Sequence, residues 1–61
     1  MIDVEQATVI LHNLGYLVTP FHNGERYEVL EPKKFKVYNQ TKEEFCLFAE
    51  ALHLAHEQSR S

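Results

Sequence analysis

Sixty-one residues make one domain, close to the lower size limit for folding alone. The single cysteine, Cys46, excludes an internal disulfide, and a formal charge of −3 argues against a general nucleic-acid binder, a class that is usually basic. No apolar run approaches the about 18 residues of a membrane span, and Met1-Ile2-Asp3-Val4-Glu5 has neither the basic nor the apolar region of a signal peptide.

At this size hydrophobic gain and chain entropy nearly cancel, and small scaffolds usually add a disulfide, a metal or oligomerisation. Oligomerisation or partner binding is the staple that this composition leaves. A lone cysteine fits a reducing compartment, so the chain is read as cytosolic or as acting in a host cytosol.

Residues 3–14 read as a first helix. Asp3 is the expected N-cap with Gln6 three residues on, and Gly15 the expected residue just past the C-cap. Val4, Ala7, Ile10, Leu11 and Leu14 share one arc, and Val9 falls among polar positions. Residues 16–21 and 26–31 read as two strands joined through Asn23-Gly24. Asn-Gly is the strongest short hairpin signal, because a type I′ turn needs positive φ at both central residues. That tip sets a register in which Phe21 faces Arg26, Pro20 faces Tyr27, Val18 faces Val29 and Leu17 faces Leu30. Pro20 cannot donate to a ladder, so its strand is an edge strand there.

After a turn at Glu31-Pro32-Lys33, residues 34–38 read as a third strand. Phe35 and Val37 are assigned to the core face and Lys34, Lys36 and Tyr38 to the other. Thr41-Lys42-Glu43-Glu44 is a capping box opening a helix over residues 41–58. Its apolar residues spread wider than the stripe a surface helix needs. Phe45, Phe48, Ala49 and Leu52 form the central stripe, and Leu47, Ala51 and Leu54 a further seam. Residues 59–61 are expected to fray. The order α-β-β-β-α predicts an α+β fold, a three-stranded antiparallel meander with two helices packed on one face. It is one domain over residues 1–61.

Four histidines invite a metal reading, with His53 and His56 spaced i, i+3. A zinc site needs three or four converging ligands in recognisable spacing, so these are read as solvated or edge histidines, with no metal and no cofactor. Cys46 sits one turn into the helix, where the macrodipole favours a thiolate. Glu43 and Glu50 oppose it, and no base accompanies it, so it is read as a passive, partly exposed thiol. Glu43 and Glu44 belong to the first helical turn. Phosphate loops, helix-based zinc motifs and dinucleotide fingerprints are absent from the sequence. One helix before a hairpin is no helix-turn-helix. No catalytic residue is assigned, and the chain is expected not to be an enzyme.

Two surfaces remain. The open sheet face is expected to carry Leu17, Phe21, Arg26, Leu30, Lys34, Lys36 and Tyr38, a mixed apolar, aromatic and basic set that suits a protein partner. The bland reading is an ordinary solvated face with a few apolar residues on it. The seam Leu47, Ala51 and Leu54 is assigned to a homodimer interface, with coverage by the first helix as the alternative. The expectation is a small binding module, a homodimeric regulator or inhibitor of the kind encoded by bacteria or phages. The alternative is a nucleic-acid-binding regulator using Lys33, Lys34, Lys36 and Arg26, stacking bases as sheet-based RNA binders do.

Overall fold

The computed structural model describes residues 2–60. Helix α1 (Val4–Asn13) is followed by strands β1 (Leu17–Phe21), β2 (Arg26–Leu30) and β3 (Val37–Thr41) and by helix α2 (Lys42–Arg60). The strands form one antiparallel sheet in the order β1-β2-β3, the predicted meander. Helix α2 packs on the sheet, and Ala7 and Leu11 of α1 join Tyr27, Val29, Phe45, Cys46 and Ala49 in one buried cluster.

Local chemistry explains the element ends. Asp3 caps α1 in a reciprocal box: its carboxylate accepts from the Gln6 N–H at 2.8 Å, and the Gln6 side chain accepts from the Asp3 N–H at 3.2 Å. At the other end Gly15 N–H donates to the His12 carbonyl and Tyr16 N–H to the Leu11 carbonyl, the paired bonds of a Schellman motif. That motif needs a left-handed residue, and Gly15 has φ 89°. Asn23 and Gly24 also lie in the left-handed region, joined by His22, and Glu25 N–H donates to the His22 carbonyl at 3.1 Å. The β1–β2 register is the predicted one, from Leu17 facing Leu30 to Phe21 facing Arg26.

The third strand differs from expectation. It spans Val37–Thr41 rather than residues 34–38. The turn is longer than Glu31-Pro32-Lys33: Glu31 N–H donates to the Lys36 carbonyl at 2.8 Å, and Phe35 N–H donates back to the Glu31 carbonyl at 3.2 Å. Residues 32–35 therefore form the loop, with Phe35 in the left-handed region at φ 53°. This closure pairs Leu30 with Val37 and Val29 with Tyr38. Because successive side chains alternate between faces, Tyr38 turns toward the helices and Val37 away from them, the reverse of the assignment made from sequence. Phe35, expected in the core, is 77% exposed, and Val37 is 51% exposed.

Helix α2 carries the predicted capping box. The Thr41 hydroxyl accepts from the Glu44 N–H at 3.3 Å, and the Glu44 carboxylate accepts from the Thr41 N–H at 2.9 Å. The helix continues through Ser59 and Arg60 rather than fraying there, and Ser61 lies outside the described residues. The bonds from Thr41, its backbone N–H first, hold the Glu44 carboxyl below its ordinary range. A depressed folded value means that the contribution is complete above the unfolded pKa of about 4.3 and is lost as pH falls through the folded value. Thr41→Ala removes the hydroxyl that caps the helix and should cost roughly 1 kcal/mol at pH 7 in urea melts. The stability gap between wild type and Glu44→Ala should narrow as the pH is lowered below 4.

Candidate interaction surfaces

Three cross-strand rows build the open sheet face. Leu17, Leu30 and Val37 stand side by side on β1, β2 and β3, then Thr19, Glu28 and Asn39, then Phe21, Arg26 and Thr41. The first row is apolar and the second polar. In the third, Arg26 donates through Nε to the Asn39 side chain at 3.3 Å. Leu17 is 62% exposed, and Phe21 and Val37 are also open to solvent. Leu30, on the central strand, is half-buried.

The other members of the expected partner face lie elsewhere. Tyr38 packs on the helix side, its ring 5.3 Å from that of Phe48, and its hydroxyl donates to the Glu31 carboxylate at 3.0 Å. Lys36 holds its ammonium 5.2 Å from the Tyr38 ring centroid, a cation–π distance. Lys34 belongs to the loop. Lys33, Lys34 and Lys36 thus cluster at the Leu17 end of the sheet, whereas Arg26 lies at the opposite end, about 13 Å away along a strand of this length. Phe35, beside the loop lysines, is the exposed aromatic that pattern reading missed. The signal was Pro32 followed by two lysines, which favours a longer turn over a strand.

Helix α2 has three distinct flanks. Phe45, Phe48, Ala49 and Leu52 meet the sheet and α1. Helix α1 runs parallel to α2: Ile2 and Val4 lie beside Lys42, Glu43 and Cys46, while Asn13 and Leu14 lie beside His56 and Glu57. It therefore lies against the flank that carries Cys46 and buries that thiol, while His53 on the same flank stays exposed at the groove rim. Leu47 and Leu54 remain 56% and 53% exposed, and Ala51 is also exposed. The seam is not covered by α1.

Cys46 departs from its expected exposure. It is buried where α1 lies against α2, and burial pushes its thiol pKa up, with Lys42 opposing. Burial, then the Glu31 charge, also raises Tyr16; the hydrogen bond to Glu31, then burial, raises Tyr38. These shifts move the thiol and both phenols away from neutral-pH proton transfer or thiolate attack. All four histidines are exposed, and His53 and His56 border a groove between the helices. Among the described residues no three His, Cys, Asp or Glu side chains converge as a metal site would require. No helix among them is long and apolar enough to cross a membrane.

No protein-family model matches the chain, and neither a curated protein nor a solved structure matches it.

Proposed function

We propose that the chain is a small non-enzymatic interaction module of the cytosol, a homodimeric regulator or inhibitor that acts by occupying a protein surface. One observation carries this reading: Phe35 breaks two local rules at once. It is a large aromatic left mostly in water, and it holds a left-handed backbone that costs a residue with a Cβ roughly 1–2 kcal/mol. Such departures concentrate where function requires them. Val37 follows two residues on and opens the apolar row with Leu30 and Leu17, so an aromatic anchor stands next to an aliphatic strip. Interfaces are built around such anchors.

Phe35→Asn separates fold from function. Asparagine tolerates the left-handed region, so the melting temperature should hold or rise. A specific partner captured from source-cell extract by the wild-type protein should be lost by the variant. Identical capture by both proteins would sink the reading. Tyr38→Ala is unsuitable as a binding probe, because Tyr38 packs on Phe48.

The nucleic-acid alternative has less support. Arg26 is separated from the loop lysines, Lys36 is engaged with Tyr38, and the net charge is −3. It requires binding that weakens steeply with salt.

A further inference from the structure

We propose that two copies of this chain join through the free edge of β3, forming a continuous six-stranded antiparallel sheet with their α2 helices side by side above the junction. This rests on the homodimer reading above and specifies its geometry.

The backbone supplies the first observation. In an antiparallel ladder successive residues direct their N–H and C=O alternately to the two sides. Glu31 N–H bonds to the Lys36 carbonyl and Lys42 N–H to the Glu25 carbonyl. Even-numbered residues of β3 therefore bond to odd-numbered residues of β2. Val37 and Asn39 direct both backbone groups outward, away from the sheet. The outward N–H of Thr41 is already taken by the Glu44 carboxylate. On β1 the same alternation directs Pro20 to its free edge, where it has no N–H to offer. One edge of the sheet is thus blocked and the other is open, without the proline or bulge that usually protects an edge.

The register follows. An isologous pair of antiparallel β3 strands uses only the free groups when its two-fold axis passes through Tyr38. Val37 of each copy then exchanges both hydrogen bonds with Asn39 of the other, and Thr41 is left out. In the same register Lys36 stands opposite Gln40 of the second copy.

The helices supply the second observation. Helix α1 occupies one flank of α2, so the opposite flank overhangs the β3 edge. At about 100° per residue Ala51 and Ala55 turn toward that edge, with Leu47 and Leu54 above them. An α2 axis midway between β2 and β3 lies about 2.4 Å inside β3; one strand spacing of about 4.8 Å across the junction puts the two α2 axes roughly 10 Å apart, at helix-packing distance. The two-fold axis makes the helices antiparallel. Leu47 and Leu54 flank Ala51 by four and three residues, so both border that contact of small residues. The open edge and the uncovered seam lie on one side of the molecule.

Sedimentation equilibrium and residue-resolved amide exchange on the wild-type protein test this together. The expected result is a dimer in which the Val37 and Asn39 amides exchange at least about 100-fold more slowly than in dilute monomer. Val37→Pro, which removes an outward N–H and no β2–β3 bond, should abolish that dimer. A dimer with those two amides unprotected overturns the edge pairing and leaves the dimer reading standing. A monomer throughout the concentration range overturns both.

Discussion

Phe45→Ala is expected to abolish cooperative folding, or to lower the melting temperature by more than 15 °C. Phe45 is among the largest fully buried side chains, and its ring stacks on Tyr27 at 4.3 Å with an interplanar angle of 10°. Truncating a buried phenylalanine costs about 3–5 kcal/mol, and loss of the aromatic pair adds about 0.5–1.5 kcal/mol. A domain of 61 residues has a total stability of only about 3–9 kcal/mol. The loss is therefore comparable with the whole margin, and each kcal/mol moves the midpoint of so small a domain by roughly 4–8 °C. Circular dichroism melts and urea titrations check it. A midpoint change below 5 °C would mean that the space left by the ring is refilled. Leu52 and Phe48, both half-buried beside it, are the side chains able to do so.

Phe45 was legible as core because local rules and tertiary packing agree there. Residues on a helix between a capping box and an alternating hairpin have few options. The caps at Asp3 and Thr41, the Gly15 terminus and the Asn23-Gly24 register each rest on chemistry within a few residues, and each is found in place. The third strand was different, because its faces depend on the length of the loop before it. Pro32 marked a turn without fixing where the turn closes. Closing it with the Glu31–Lys36 pair exchanges the two faces of β3, so Tyr38 goes in while Val37 goes out. Tyr38 compensates with its Phe48 contact and its bond to Glu31, tertiary gains that periodicity within residues 34–38 does not encode. Cys46 was misplaced for a related reason. A helical wheel ranks an arc by its polarity, whereas α1 lies against the arc of Cys46 and His53 and buries the thiol. The space that α1 fills there is also why the apolar seam on the far flank stays open.

Leu47→Glu combined with Leu54→Glu should leave the monomer fold intact and raise the dimer dissociation constant at least about 1,000-fold. Both side chains are more than half exposed in the single chain. Their replacement by a good helix former on a solvated face should change monomer stability by no more than about 0.5 kcal/mol. In the proposed dimer the same positions are doubled by symmetry, so four new carboxylates are gathered along one helix contact. Placing unpaired charge at a packed helix contact costs several kcal/mol, and every 1.4 kcal/mol is a factor of about ten in affinity. The contrast with Phe45→Ala is diagnostic. One variant should lose its melt at every concentration, whereas the other should keep a melt that no longer depends on concentration. Sedimentation equilibrium with parallel thermal melts checks both halves. A double variant that dimerises as the wild type does would remove α2 from the interface. A double variant that unfolds when dilute would show that the seam is already needed within the single chain.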